Sequence, residues 1–564
     1  MACAGALADF DINIDLGAKP IRDASKSTSK ALVGYAGCLC GRDGGEYQNY
    51  WFTTNRAATS AAERRAGAWF QRMWDANGWF ECRKSNPYDP NSKDPKEVKK
   101  YKGYVRSEPD LAFGFWKENG IKVLFTLECW SDRQENTAVE FVKWIVDNNY
   151  KDVVAGFELG NESYFSDHYP ELAPRWKRVV DELWKIWPKV PLGICLCELY
   201  EQNPDLTQVR DRMLSAGEIK RDGYFSANIF NRYTTQFVVA MADHLDKISH
   251  VIYHAYGAET PYSCSYYGFE RFRNYMNAMP ELKGKKMWLS EVRQRSDEDN
   301  WCQRQFREAL IMGHYSLTAI CQPDMDGFNN HEFASWSGGL LVSNGRQFVK
   351  QWRGGCWWSG YPDHLAPEGK PWIEVGPMGS MYRIISESVL DYPVFLQHGT
   401  SKEVNTTNAF YTSARFTDEV YRHRRAIREG RKPFLGLFGG VPEVKGETEW
   451  VAATTKKKGA VCLMMVNSKN TEEEVTVRVK DHILSVPTYL AMSCPEEYLD
   501  CSSIPGEEHP WKMMAWEDSQ QGGFNAVKMA MYEGIRPKND VLTIKVGPNT
   551  IQSVTFWVKR LPKK

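Results

Sequence analysis

The sequence predicts an α/β fold: a (β/α)8 TIM barrel followed by a C-terminal antiparallel β-sandwich. Three observations carry this expectation. From about residue 31 to 390, short apolar runs alternate with amphipathic stretches, giving eight strand–helix units. The runs are continuously apolar, which means burial on both faces, as in a parallel sheet covered by helices. Eight such units fit a barrel with enlarged loops. After about residue 390 the texture changes to short runs with turn residues between them, which reads as a sandwich. A doubly wound open sheet is the alternative. It would usually carry a glycine-rich turn after its first strand, and residues 41–45 (GRDGG) do not match GxGxxG.

In chain order, a buried strand is expected at 32–37 and a helix at 57–76, with Trp69, Met73 and Trp74 on one face. A strand at 79–83 precedes a polar loop through residue 104, and a helix at 108–119 carries Pro109, suited to a first turn. The pattern continues with strands at 122–129, 153–159, 192–197, 250–255, 286–290 and 319–323. Helices alternate with them at 137–148, 175–187, 231–245, 269–279, 301–317 and 378–388. Later runs fall at 451–455, 459–466, 475–479, 484–490, 541–546 and 551–558. Residues 475–479 (VTVRV) alternate apolar and polar, the period of a half-buried antiparallel strand. Residues 10–16 alternate too, so 1–30 is expected to join the sandwich, with the barrel at 31–390 and the sandwich at 391–564.

Composition narrows the function. Lysine plus arginine total 71 and aspartate plus glutamate total 71, so no basic excess is available to neutralise nucleic-acid phosphates. Hydrophobic residues at 42% and charged residues at 25% are globular values. The 21 Trp, 27 Tyr and 26 Phe fill cores but also make platforms on which sugar rings stack. No apolar run approaches the roughly 20 residues that cross a bilayer. The 14 cysteines are too few for a disulfide scaffold, and the one-residue spacing in Cys38–Cys40 and Cys195–Cys197 suits neither zinc nor a redox pair. Cys3 reads either as the lipid-attachment residue of a trimmed lipoprotein or as an ordinary terminal thiol.

Active sites of such barrels lie at the C-terminal ends of the strands. Strand four ends Phe157-Glu158-Leu159-Gly160-Asn161-Glu162, and strand seven ends Met287-Trp288-Leu289-Ser290-Glu291. Glu162 and Glu291 would therefore project into one mouth. Two facing carboxylates are what glycoside cleavage requires, one to protonate the leaving oxygen and one to attack the anomeric carbon or activate water. A single Glu at such a place reads better as a helix cap; two at strand ends four and seven favour chemistry.

The FELGNE segment resembles the strand-four signature of clan A glycoside hydrolases, and the WLSE segment resembles their strand-seven nucleophile. Barrel and sandwich together look most like the heparanase/β-glucuronidase and α-L-arabinofuranosidase families. The resemblance implies a retaining hydrolase with Glu162 as acid/base, Glu291 as nucleophile and Asn161 bonded to the hydroxyl beside the anomeric carbon. A retaining enzyme implies a carboxyl separation of about 5–5.5 Å.

Supporting residues are less tightly fixed. His254 and Tyr256 end strand six, where clan members commonly hold the nucleophile; core packing is the competing reading. Arg83 ends the expected strand two, where an arginine would keep the nucleophile ionised, unless it faces solvent. Trp130 after strand three and Trp336 after strand eight are stacking platforms or core. Asp324 and Asp326 would contact sugar hydroxyls or calcium, but they do not fit an EF-hand loop, and no metal or cofactor is expected. Arg293 and Arg295 beside the nucleophile, with the basic run 421–432, favour an anionic polysaccharide such as a sulfated galactan or uronic-acid glycan.

Two other readings compete. One is a carbohydrate-binding protein on a degenerate barrel, which the presence of both carboxylates disfavours. The other is an exo-acting arabinofuranosidase or glucuronidase on neutral plant glycans. A metal-dependent hydrolase would want clustered histidines, yet only 11 occur, without HxH or HExxH. The expected location is secreted, periplasmic or surface-anchored, with a signal peptide outside this sequence; the cytoplasm is the alternative.

Overall fold

The computed structural model describes residues 9–36, 52, 56–83, 108–166, 168–196, 236–256, 276, 280–293, 306–331, 341–343, 373–375, 377–401, 448–496, 528–538 and 540–562. The chain opens with β1 (Phe10–Ile14) and β2 (Arg22–Asp23), which join sheets completed much later. Eight strands then form a closed parallel barrel. They are β3 (Val33–Ala36), β4 (Phe70–Met73), β5 (Lys122–Leu127), β6 (Val154–Leu159), β7 (Leu192–Cys195), β8 (His250–Tyr256), β9 (Lys286–Arg293) and β10 (Met325–His331). Each pairs with the next, and β10 closes on β3.

Helices wrap the barrel: α1 (Arg56–Arg65), α2 (Ala76–Glu81), α3 (Pro109–Asn119), α4 (Asp132–Asp147), α5 (Ala173–Ile186), α6 (Phe306–Ile320) and α7 (Pro377–Asp391). Local chemistry sets their ends. Ser131 caps α4 by accepting from the Gln134 N–H, with Asp132 and Glu135 in the first turn. Pro109 opens α3, and Gly120 closes it in the left-handed conformation. A small ribbon, β11 (Leu341–Ser343) with β12 (Ile373–Val375), lies between α6 and α7 in sequence.

Trp288 from β9 fills the barrel interior. A side chain on Gly156 of β6 would meet it at 2.1 Å, and one on Gly193 of β7 at 3.0 Å, so both strands need glycine there. His250 stacks on the indole with ring centroids 3.6 Å apart. This plug supports the strand ends that carry Glu291 and Glu162.

The remaining strands are β13 (Val394–Thr400), β14 (Thr448–Thr454), β15 (Ala460–Asn467), β16 (Glu473–Val479), β17 (His482–Leu484), β18 (Thr488–Ser493), β19 (Lys528–Glu533), β20 (Val541–Val546) and β21 (Thr550–Arg560). Among the described residues one sheet runs β19-β18-β21-β15-β14-β13-β2, with β17 beside β21, and the other runs β1-β16-β20. Ile12, Ile14, Val475, Val477, Leu542 and Ile544 from the small sheet pack on Leu463, Met465, Val554 and Phe556 of the large one. The opposite face of the large sheet lies on α6 and α7, where Met464, Val466 and Ile551 join the barrel's core. At that joint the buried Glu449 carboxylate is held by His314 Nδ1 at 2.8 Å, His398 Nε2 at 2.6 Å and Thr318 Oγ1 at 2.9 Å.

Four expectations are corrected. The helix over 57–76 ends at Arg65, because Gly67 turns left-handed (φ 63°), and 70–73 is the second barrel strand. Gln71 and Arg72 break its apolar run although both are buried, so it did not read as a strand. The expected strand at 79–83 is instead α2 and its C-terminal turn, which places Arg83 outside the barrel sheet. The eighth strand is Met325–His331 rather than 319–323, whose first two residues end α6; its buried Asp326, Asn329 and Asn330 hide it from an apolar scan. In the sandwich, β13 and β19 are additional, and the expected run 484–490 divides at Pro487 into β17 and β18.

Candidate active site

Strand β6 delivers its last residues through a left-handed turn. Gly160 has φ 87°, and Glu162, with a side chain, has φ 47°. A non-glycine residue held there costs about 1 kcal/mol or more and is kept where surroundings enforce it. The turn aims Glu162 at β8 and β9. His254 Nδ1 lies 2.8 Å from Glu162 Oε1 and 3.4 Å from Glu291 Oε2, and one oxygen of each carboxylate falls within 4.8 Å of the other. Glu291 is buried, while Glu162 keeps 29% of its side chain exposed toward solvent.

Beneath them sits Arg72, the third residue of β4. Its Nε donates to Glu158 at 2.6 Å, Nη1 to Glu291 at 2.6 Å and Nη2 to Asn161 Oδ1 at 2.6 Å. One planar fork thus sets three groups, geometry that a lysine could not reproduce. Burial alone would lower the guanidinium's affinity for its proton, but Glu158 and Glu291 outweigh it and raise it. Burial pushes Glu158 up; the Arg72 charge, with bonds from His254 and Arg72, holds it below its ordinary value. Burial disfavours a charged His254, yet Glu291, Glu158 and Glu162 around it raise it to about 9.

A further carboxyl stands at the third strand end. Glu128 Oε1 accepts from the Asn161 backbone N–H at 3.1 Å, and Oε2 accepts from the Trp130 indole at 2.9 Å. Asn77 Oδ1 in turn accepts from the Glu128 backbone N–H at 2.8 Å. Burial, with Asp75 nearby, pushes Glu128 up to about 8.

Of the sequence-predicted residues, the structure gathers Glu162, Glu291, Asn161 and His254 into one cluster, with Trp130 at its edge, 40% exposed. Arg83 is not among them. It pairs with Glu140 and lies over the Phe80 ring at 3.3 Å, and the contact with Glu291 expected of it is made by Arg72. Tyr256 and Arg293 end β8 and β9 opposite each other in register, but their side chains lie outside the described residues. Trp336, Arg295, the basic run 421–432 and Cys3, Cys38, Cys40 and Cys197 also fall outside them. Asp326 is not at the mouth. It is the second residue of β10, on the opposite end of the barrel, bonded to His250 at 3.0 Å, with Thr28, Lys286 and Arg22 around it.

Sequence reasoning missed Arg72, Glu158, Glu128, Thr126 and Ser290. A charged residue inside a strand-length run was the available signal for Arg72 and Glu158. Two groups of metal-ligand type occur among the described residues, Glu158–Cys195–His254 and Glu162–His254–Glu291. In both, His254 and Arg72 already direct N–H groups at the carboxylates, so these residues do not fit a cation.

A scan against protein-family models finds no match, and a comparison with curated proteins finds none. Solved structures do match. An α-L-arabinofuranosidase from Thermotoga maritima, solved with arabinose, aligns at TM-score 0.57 and 12% identity, covering 97% of this chain and all of that one. The α-L-arabinofuranosidase of Thermotoga petrophila RKU-1 gives 0.57 at 11%, covering 97% and 99%. The family 51 α-L-arabinofuranosidase AbfB of Bifidobacterium longum gives 0.53 at 10%, again covering 97% and 99%. The chain shares the barrel-plus-sandwich fold of these proteins over nearly its whole length.

Proposed function

We propose that this protein is a retaining glycoside hydrolase, with Glu291 as nucleophile and Glu162 as general acid/base. The approach of the two carboxylates carries the reading. Oxygens within 4.8 Å of each other suit direct attack better than the roughly 6.5–9.5 Å gap that an inverting enzyme keeps for water. Arg72 favours an ionised Glu291, the form that attacks. In the first step Glu291 forms a bond to the anomeric carbon while the glycosidic C–O bond breaks and Glu162 gives its proton to the departing oxygen. In the second, Glu162 takes a proton from water, whose oxygen displaces Glu291 and restores the carboxylate. Asn161 accepts from Arg72 through Oδ1, which leaves its Nδ2 to donate to the neighbouring sugar hydroxyl. Trp130 offers a ring face beside this centre.

The substrate we propose is a polysaccharide or oligosaccharide, with an anionic glycan favoured by Arg293, Arg295 and the run 421–432. An arabinofuranoside is the second reading, supported by the likeness to three solved α-L-arabinofuranosidases. Release of reducing sugar across sulfated, uronic and neutral glycans and aryl arabinofuranosides separates the two. Glu162→Gln and Glu291→Gln should each abolish most turnover, and proton NMR should show the first product anomer with retained configuration. Full activity in either variant, or initial inversion, would falsify the assignment.

A further inference from the structure

A buried pair behind the catalytic centre has no part in the two-step reaction. Ser290 precedes Glu291 on β9, and Glu158 lies four residues before Glu162 at the end of β6. Both are shut off from solvent. Glu158 Oε2 accepts from Arg72 Nε at 2.6 Å and from Thr126 Oγ1 at 2.9 Å, while Oε1 accepts from Ser290 Oγ at 3.1 Å. Ser290 Oγ also lies 3.0 Å from His254 Nε2.

Hydrogen bookkeeping fixes the protons. A hydroxyl has one hydrogen, and a carboxylate can only accept. Ser290 therefore spends its hydrogen on Glu158, and the contact with His254 requires an N–H on Nε2. On the other side of the ring, Nδ1 faces Oε1 of Glu162 and Oε2 of Glu291; with the acid proton of Glu162 on its other oxygen, Nδ1 carries a hydrogen too. We propose that Glu158 and Ser290 are positioning residues that hold His254 as an imidazolium aimed at the catalytic carboxylates, so that its charge lies between Glu162 and Glu291.

The charged and titratable groups facing the ring are Glu291 on β9, Glu158 and Glu162 on β6 and its turn, Arg72 on β4 and the Cys195 thiol on β7. With Glu162 holding the proton it donates, Glu158 and Glu291 oppose one guanidinium, so a second cation balances the cluster. The direction of the His254 shift, up to about 9 against the effect of burial, agrees with this placement. An imidazolium here has two consequences for the proposed hydrolase. It favours an ionised Glu291 alongside Arg72, and it fixes the oxygen of Glu162 that must face the leaving group. Arg72 and His254 approach Glu291 through different oxygens, Oε1 and Oε2, so the nucleophile is gripped from both sides.

The catalytic part of this inference rests on the hydrolase reading, but the protonation of His254 can be measured without substrate. In the full-length protein labelled with 15N-histidine, the His254 ring signals are assigned by their loss in His254→Gln. The expected result is a doubly protonated ring at pH 7.5 and a deprotonation midpoint that falls by about one pH unit or more in Ser290→Ala, as loss of a charge-assisted hydrogen bond implies. The basic limb of kcat/KM should move down by the same interval, and Ser290→Thr, which keeps the hydroxyl, should restore both. A folded Ser290→Ala with an unchanged midpoint overturns the proposal. If that variant fails to fold by circular dichroism, the near-isosteric Ser290→Cys carries the comparison: a smaller fall supports the proposal and an unmoved midpoint overturns it. Should no glycoside be cleaved while the midpoint still shifts, the hydrolase reading falls and the positioning of His254 by Ser290 stands.

Discussion

Arg72 Nη1 stands 2.6 Å from Glu291 Oε1, with both side chains withdrawn from water. The contact ties the second barrel strand to the seventh across the interior. It also sets an opposite charge against that carboxylate, which favours its charged form where burial disfavours it.

Replacing Arg72 should therefore damage chemistry and stability together. Arg72→Met leaves Glu158 and Glu291 without their cation, and breaking a buried pair in this way costs about 3–5 kcal/mol. Arg72→Lys keeps the charge but cannot bond three acceptors, so its kcat should fall by about 100-fold or more, with a smaller loss in melting temperature. Thermal melts and steady-state kinetics of the two variants separate charge from geometry.

The acid role proposed for Glu162 predicts a dependence on the leaving group. Glu162→Gln should lose most of its first-step rate on substrates with poor leaving groups. With a dinitrophenyl glycoside, which departs unaided, the first step should persist and a pre-steady-state burst appear as the second step becomes limiting. Equal losses on both substrate types count against Glu162 as the proton donor.

Glu128 links the Trp130 ring to the Asn161 backbone, so the two sites are not independent. Trp130→Ala should raise KM by about tenfold with little change in kcat, the pattern of lost uniform binding. Glu128→Leu frees both the indole and the loop, and should lower kcat as well. Measuring kcat and KM separately distinguishes these outcomes.

Glu63 supplies a pH signature away from the active centre. It is buried on α1, bonded to Gln71 at 3.1 Å, its Oε2 has no hydrogen-bond partner, and burial raises it to about 8. A raised carboxyl means that the native state holds its proton longer than the unfolded state. Stability from this group is then present below the unfolded value near 4.5 and lost as pH rises toward about 8. Glu63→Gln keeps the neutral amide-like contact without the ionisation cost. It should melt close to the parent at pH 4.5 and higher than the parent at pH 8.

Much of this was legible in the sequence, and the gaps have a common cause. Strands β5, β6, β7, β8 and β9 were found because their apolar runs are continuous, and the motif ends FELGNE and WLSE pointed to Glu162 and Glu291. Strands β4 and β10 were misplaced because the barrel interior is polar where it supports chemistry or closes the floor. Arg72, Asp326 and Asn329 are buried with partners that lie far away in sequence, and Gln71 is buried against Glu63 of the preceding helix. Hydrophobic period registers burial in oil-like surroundings; it does not register burial by paired charge. Trp69, Met73 and Trp74 then imitated a helical face and drew the second strand into the preceding helix. Arg83 inherited a role that belonged eleven residues earlier.

The parallel pairing of β1 with β16 joins Phe10 to Val475 and Ile14 to Val479. During synthesis, β1 must wait for some 460 residues before its neighbour exists. Until then Ile12 and Ile14, which end fully covered in the sandwich, have no mate. Barrel strands can associate as they emerge, each beside the one before, whereas the sandwich is assembled last and from both directions. The slow event in folding should therefore be the docking of this early strand. Deleting residues 9–16 should leave a chain with a largely formed barrel and an open, sticky second sheet, detectable as dye binding without loss of helical signal.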